Sequence, residues 1–192
     1  MEKTSDKENK MWLTRPWLVV ALGFGAAAFL VRWAGLSIPI IGTGINSDPR
    51  EMFIIVGSAL TGPVGGLVIG FLAGLVTLFG DFGLSDVLAH MTGGLLMGGL
   101  YKWACRRWQM PIFFIVWVAL VIGYYLILIL AFVTFMFLLY PGNAPILFGA
   151  GTSPLQAYRL LAQGAPPEMI ITLIFSSVIL LALPKKYRCP LW

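Results

Sequence analysis

Charged residues are scarce in this chain. They make up 11% of its 192 residues, whereas 59% of the residues are hydrophobic. An average soluble domain carries about 25% charged residues. Several apolar runs approach or exceed the roughly 20 residues that a helix needs to cross the hydrocarbon core of a bilayer. The composition therefore excludes an ordinary soluble domain and predicts a protein that crosses a membrane several times.

Cysteine and histidine are scarce as well. The chain has two cysteines and one histidine, which is a poor set for a metal site built from Cys and His ligands. Cys105 and Cys189 both lie beside basic residues, so we expect them on the cytoplasmic side of the membrane as reduced thiols. The sequence therefore predicts no metal site.

Sequence motifs of catalysis are missing too. The glycine-rich segment lacks the lysine and Ser/Thr of a phosphate-binding loop, and neither an HExxH motif nor a serine nucleophile elbow occurs. We therefore expect a protein that is not an enzyme and has no cofactor. The net charge of +5 comes mainly from basic residues at the ends of apolar segments. Membrane orientation and contact with membrane lipid explain that charge better than nucleic acid does.

Apolar segments divide the chain into six candidate spans. A short polar helix is also predicted at residues 155–164. The predicted fold is all-α, a bundle of six transmembrane helices over residues 16–184, with cytoplasmic tails at 1–15 and 185–192. The six apolar segments cover residues 16–36, 52–62, 63–80, 87–105, 111–140 and 166–183.

Residues 52–80 allow two interpretations, one kinked helix or two helices joined by a tight turn at Pro63. The distribution of Lys and Arg distinguishes them, because basic residues accumulate in cytoplasmic loops. Six spans place ten basic residues inside and two outside, whereas five spans place five inside and seven outside. The sequence therefore favours six spans, with a short second span.

Glycines are concentrated in the second and third apolar segments. Gly66, Gly70 and Gly74 recur every four residues and so share one helix face. Gly94 and Gly98 repeat this spacing in the fourth segment. Small residues at such spacing let two helix backbones approach closely. These glycines are therefore predicted to form helix-packing surfaces, with Gly66, Gly70 and Gly74 facing either a neighbouring helix or a partner protein.

Polar and aromatic residues gather where six spans would place the outer half of the protein. Asp86 and His90 are four residues apart and share a helix face. Structural explanations exist for each polar residue: Asp86 suits a helix N-terminus, His90 can bond a carbonyl, and Glu168 comes after two prolines in a first helical turn. The alternative is a cleft for a small molecule, with aromatic walls and a few convergent polar groups.

A glycine-proline turn carries a resemblance to a known family. In "SALTGPVGGLVIGFLAGLVTLFGD", Gly62, Pro63 and Gly66 resemble the "GP-x-x-G" turn of the substrate-binding S components of energy-coupling factor (ECF) transporters. The resemblance implies six spans and an outward-facing site for a vitamin-like solute, built from the first outer loop and spans four to six. The substrate-binding residues implied by position are Arg50, Glu51, Asp86, His90, Tyr140, Tyr158, Arg159 and Glu168.

The same resemblance implies partners and a location. The first span resembles the small-residue face with which S components dock on a transmembrane coupling protein, here at Ala21, Gly25 and Ala28. The coupling protein and two ATPase subunits would then energise uptake of the small-molecule substrate. The chain would be a multi-pass protein of a bacterial or archaeal cell membrane.

A second resemblance covers residues 46–100. The segment "NSDPREMFIIVGSALTGPVGGLVIGFLAG" is similar to the membrane sensor domain of LytS-type histidine kinases, in which an Asn and an Arg precede the second helix and a Gly-Pro-x-x-Gly turn comes after it. A third interpretation is a structural subunit of a larger membrane complex, packed through its glycine faces without a ligand. The transport subunit is the main prediction, and the sensor and the structural subunit are its alternatives.

Overall fold

The computed structural model describes residues 16–40, 45–80, 82–107 and 112–184, and the described chain is mostly helical. The predicted tails lie outside these residues. The helices begin and end close to the boundaries of the predicted apolar segments. In chain order they are α1 (Pro16–Trp33), α2 (Arg50–Gly74, followed by a 3-10 turn at Leu75–Thr77), α3 (Gly83–Arg107), α4 (Ile112–Leu139), α5 (Ala144–Phe148), α6 (Pro154–Gly164) and α7 (Pro166–Ala182).

Helix α2 is a helical hairpin that reverses at Gly62. This residue has φ 74° and ψ −170°, a conformation that glycine adopts because it has no Cβ. Pro63 begins the second leg, where its missing N–H removes no hydrogen bond. The Arg50 side chain donates from Nη1 to the Ala73 carbonyl at 3.3 Å, so the two ends of α2 meet. The tight turn predicted as one interpretation of residues 52–80 is therefore observed.

Glycines pack the second leg of α2 against α3. A Cβ added to Gly66 would collide with the Gly94 carbonyl. A Cβ on Gly98 would likewise collide with the backbone of Gly62 at the turn. The prediction that these glycines form helix-packing surfaces is confirmed. Their close approach brings the first turns of α3 beside the ends of α2.

Multi-pass membrane character is supported by the long apolar helices. Within the described residues, three helical segments are long and apolar enough to cross a membrane: α1, Arg50–Thr77 and α4. Helices α6 and α7 together would make a fourth, although they are bent by 53°. Each leg of α2 has about 12 residues, or roughly 18 Å of helix, whereas the hydrocarbon core is about 30 Å thick. Six complete spans with both termini cytoplasmic are therefore not confirmed.

A small sheet departs from the all-α prediction. Strand β1 (Ile38–Ile40) pairs antiparallel with β2 (Ile45–Ser47), with Ile38 opposite Ser47. The strands lie between α1 and α2, in a segment rich in Gly, Pro, Asn and Asp that predicts a loop. Each strand has only three residues, which is too short for the alternating pattern that identifies a strand.

The prediction that Cys105 is a reduced thiol is wrong, because this residue is disulfide-bonded. The prediction used only the expected side of the membrane. It did not take into account where the Cys105 sulfur lies in the folded chain. Cys189 lies outside the described residues.

Aromatic residues of α4 join this helix to its neighbours. The Trp117 ring packs edge-on against Tyr101 of α3, with centroids 5.5 Å apart. Its indole N–H donates to the Ser177 hydroxyl of α7 at 3.1 Å. Two turns further along α4, the Tyr125 hydroxyl lies 2.7 Å from the Thr172 hydroxyl. These contacts fix α7 on α4 and position the first turn of α7 near the ends of α2.

Candidate functional site

A cavity of about 460 Å³ lies where the first turns of α2, α3 and α7 meet. The reversal at Gly62 and the glycine contacts with α3 bring these turns together. A volume of this size is typical of sites for small organic molecules. The polar residues that line the cavity are Asp48, Arg50, Glu51, Asp86, His90 and Glu168.

Arg50 is the central cation of this polar cluster, and it is only 6% exposed. Its Nη1 donates to Asp86 Oδ2 at 3.0 Å, and its Nε lies 3.0 Å from Asp48 Oδ2. Asp86 also accepts a hydrogen bond of 2.6 Å from the Thr77 hydroxyl. Asp48 has a second cation, Arg32, at 3.4 Å. A buried charge is costly unless it is paired. Arg50 is paired with two carboxylates of the protein itself, those of Asp86 and Asp48.

His90 and Glu51 hold one proton between them. The Nδ1 atom of His90 donates to the Asp86 carbonyl at 2.6 Å, since a carbonyl can only accept. Its Nε2 lies 2.8 Å from Glu51 Oε1, and such a contact requires a proton on one of the two atoms. The other carboxylate oxygen of Glu51 accepts from the Tyr124 hydroxyl at 2.6 Å. Whichever partner carries the proton, the His90–Glu51 pair has no net charge.

Glu168 completes the polar lining from the first turn of α7. Its Oε1 accepts the backbone N–H of Asp48 at 3.3 Å. A helix N-terminus also stabilises a carboxylate through its partial positive charge. Among the residues that the structure describes, no Lys, Arg or His forms an ion pair with Glu168. It is the carboxylate of the cavity without a cationic partner.

The remaining wall of the cavity is apolar and aromatic. The rings of Phe82 and Phe132 meet edge to face with centroids 5.7 Å apart. Tyr125 also lines the cavity, and its hydroxyl lies 2.7 Å from the Thr172 hydroxyl. The aliphatic residues of this wall are Leu128, Ile129, Leu160 and Leu161.

Five of the eight residues predicted to bind substrate line this one cavity. They come from three helices that are distant in sequence, so their convergence is a property of the fold and not of a local motif. Ligand binding by these residues stays a prediction. They are Arg50, Glu51, Asp86, His90 and Glu168.

The other three predicted residues lie outside the cavity. The Tyr140 hydroxyl accepts the Leu84 backbone N–H at 3.1 Å. Tyr158 packs against a small apolar cluster of α4, α6 and the α6–α7 junction. Arg159 lines a separate polar depression on α6 together with Gln156. Neighbouring residues of a helix point in different directions, which is why α6 lines the cavity with the two leucines after Arg159 instead.

The face of α1 predicted to dock a partner is covered within the chain. Ala21 and Ala28 are fully buried. A Cβ on Gly25 would press into the side chain of Leu72 on α2. Because α2 occupies this face, Ala21, Gly25 and Ala28 are not exposed to a coupling protein in this structure.

The sequence did not identify Thr77, Tyr124 or Phe132 as neighbours of the site. Thr77 and Phe132 lie in long apolar segments where one hydroxyl or one ring gives no distinct signal. Tyr124 and Tyr125 do offer one, since they lie in the middle of α4, whereas membrane proteins concentrate tyrosine at the two interfaces. A tyrosine pair at mid-span indicates buried hydrogen-bond partners.

Similarity to known proteins identifies the family of this membrane domain. Residues 2–141 match the family model described as 5TMR of 5TMR-LYT, the membrane domain of LytS-like sensors. Neither the curated proteins nor the solved structures gave a match. The assignment to the ECF S components is therefore wrong, and the coupling protein and two ATPase subunits that it implied are not retained.

The physical reason for that error is the turn at Gly62 and Pro63. Both resemblances include a Gly-Pro-x-x-Gly turn, so the turn alone cannot separate them. The Asn and Arg before the second helix, here Asn46 and Arg50, belong to the sensor pattern. The family match covers well over half of the 192 residues, and the chain therefore belongs to the 5TMR-LYT family of membrane sensor domains.

Proposed function

We propose that this chain senses a small molecule that binds in the cavity between α2, α3, α4, α6 and α7. One observation carries the proposal: a cluster of buried charges surrounds a cavity of about 460 Å³. Ionisable residues within membrane segments are costly, and they commonly mark functional sites. The sensor family supports the same conclusion, since a sensor domain needs a place for its signal.

The junction of α6 and α7 is the proposed moving part. Gly164 and Ala165 line the cavity at the 53° bend between these helices. A ligand that fits one bend angle better than another would shift the population towards that angle. Glu168, immediately after the bend, would report the change to α2 through its bond with the Asp48 N–H.

The proposed setting is a bacterial or archaeal cell membrane. In this setting the sensor would act on a signalling partner, because detection has an effect only when a change in the membrane domain reaches an output. A structural subunit would differ in a measurable way, since it would need no small molecule in the cavity.

Native mass spectrometry of the gently purified protein tests the proposal. We expect a stoichiometric, non-lipid small molecule to remain bound to the unsubstituted chain. Gly164→Phe places a ring in the cavity wall where a Cβ meets no atom within 4 Å, so this variant should fold and lose the bound molecule.

Gly142→Phe is the matched control. Gly142 also has open space around its Cβ position, but it does not line the cavity. This variant should keep the bound molecule. Only lipid or protein subunits on the unsubstituted chain, or equal retention by both variants, would contradict binding in this cavity.

A further inference from the structure

We infer that the ligand of this cavity is a small organic cation: an amine or quaternary ammonium with one positive charge and an apolar body. The inference rests on the proposed function of the cavity as a ligand site. Two independent features of the lining lead to it, the balance of charge and the aromatic wall.

The charges around the cavity cancel in pairs, with one exception. Arg50 offsets Asp86 at 3.0 Å, and Arg32 offsets Asp48 at 3.4 Å. The His90–Glu51 pair has no net charge, because it holds one proton between Nε2 and Oε1. With Glu168 ionised, as it would be beside a bound cation, the balance leaves a net charge of −1, and this charge belongs to Glu168.

A bound cation would favour the charged form of Glu168. The Asp48 N–H and the N-terminus of α7 both stabilise the charged form of the carboxylate. The hydrogen bond from Asp48 uses Oε1 alone. Within the described residues, Oε2 has no hydrogen-bond donor. A bound ammonium group would supply both the missing charge and the missing donor.

The aromatic wall suits the same ligand. A cation near an aromatic face is attracted by the negative charge density of the ring. Phe82, Phe132 and Tyr125 line the same cavity as Glu168. Leu128 and Ile129 extend this wall with aliphatic surface that an apolar body can cover.

An anionic ligand fits the cavity poorly. Arg50 is the cation that such a ligand would need; its Nη1 already donates to Asp86 and the Ala73 carbonyl, and its Nε, which makes no hydrogen bond, lies 3.0 Å from Asp48 Oδ2. An anion would have to displace one of these carboxylates inside a buried cluster, at a high cost in desolvation. It would also lie near Glu168, where two negative charges repel.

A series of three probes of similar shape tests the charge of the ligand. The probes are 2-phenylethylammonium, 2-phenylethanol and 3-phenylpropanoate. Each is titrated into the full chain in lipid nanodiscs at one ionic strength, with affinity measured by calorimetry and empty nanodiscs as the blank. We expect the ammonium probe to bind about tenfold or more tightly than the alcohol, and the carboxylate to bind most weakly.

Variants at Glu168 test whether this residue causes the preference for the ammonium probe. Glu168→Gln keeps the size of the side chain and removes its charge, so the tenfold advantage of the ammonium probe over the alcohol should disappear. Glu168→Asp keeps the charge and should retain a preference for the ammonium probe. If Glu168→Gln does not fold, the probe series on the unsubstituted chain still decides the question.

The outcomes separate this inference from the proposed function. If the alcohol or the carboxylate bound more tightly than the ammonium probe, the inference of a cationic ligand would be overturned, but the cavity would remain a ligand site. An ammonium preference that Glu168→Gln leaves unchanged would overturn the role of Glu168. If none of the three probes bound, the inference of a cationic ligand would also be overturned. The sensing proposal would then be tested separately, by native mass spectrometry of the co-purified molecule.

Discussion

Arg50 illustrates how much a single buried residue contributes. Replacement by Met leaves Asp86 and Asp48 without the cation that lies 3.0 Å from each. Breaking one partner of a buried ion pair costs about 3–5 kcal/mol, and we expect Arg50→Met to lower the free energy of unfolding by about this amount. Reversible unfolding in mixed micelles, followed by circular dichroism, measures the change.

Arg159→Met is the control for this substitution. Arg159 is an exposed arginine on α6, and no ion pair is found for it within the described residues. Its replacement should change the free energy of unfolding by less than about 0.5 kcal/mol. Equal effects of the two substitutions would mean that the ion pairs of Arg50 add no stability.

The sequence predicts part of the polar cluster and omits the rest for a local reason. Asp86 and His90 are recognisable because their spacing places them on one helix face. Arg50 and Glu51 are recognisable as charges beside an apolar segment. Tyr124 contacts Glu51 only because α4 packs beside α2, and no spacing within α4 encodes that contact.

At the scale of the helices, α2 and α3 can pack closely because glycines at their interface have no Cβ. Gly98→Ala places a methyl group into the backbone of Gly62, where nothing flexible can move aside. We expect a loss of about 1–3 kcal/mol in the free energy of unfolding, the usual cost of overpacking. The same micelle unfolding assay measures it.

The adjacent glycine provides a matched comparison. A Cβ on Gly99 meets no atom within 4 Å, and alanine favours helix over glycine by about 1 kcal/mol. Gly99→Ala should therefore leave stability unchanged or raise it slightly. If Gly98→Ala were equally harmless, the close approach of the two helices would not be needed for stability.

The helical hairpin was predictable because glycine and proline together mark the turn, and because the basic residues favour an even number of crossings. Its depth was not predictable. Counting apolar residues distinguishes a helix from a loop, but it does not distinguish a complete span from a leg of about 18 Å that turns back.

Considered as a whole, the molecule brings both ends of the hairpin close together, and we expect them on the same side of the membrane. Leu36 and Phe79 are exposed residues that lie before and after α2, at 57% and 96% exposure. We expect Leu36→Cys and Phe79→Cys to react with a membrane-impermeant maleimide from the same side. Labelling of intact and opened vesicles measures this, with the unsubstituted chain as the background.

A straight helix through residues 52–80 would give the opposite result. The two positions would then lie on different membrane faces, and only one of them would react in intact vesicles. Gly142→Cys extends the measurement to the α4–α5 connection, where the Tyr140 hydroxyl binds the Leu84 N–H. It should react from the same side as Phe79→Cys.

Fold class can be predicted from the sequence more readily than family can. The long apolar runs determine that the chain is helical and spans a membrane. A short turn motif and a cluster of polar residues suit several membrane families, and this ambiguity produced the transport assignment. The spatial position of α7 over the ends of α2 depends on contacts such as Trp117 to Ser177, which pairwise spacing in the sequence does not reveal.

The cavity draws its walls from two parts of the chain, and the family match covers only the first of them. That match ends at residue 141, yet residues 160–168 supply part of the lining, including Glu168. If the cavity binds the proposed ligand, the residues that come after α4 should therefore help to decide which charge it selects. Substitutions confined to residues 160–168 should alter that preference while the hairpin and its buried arginine stay the same.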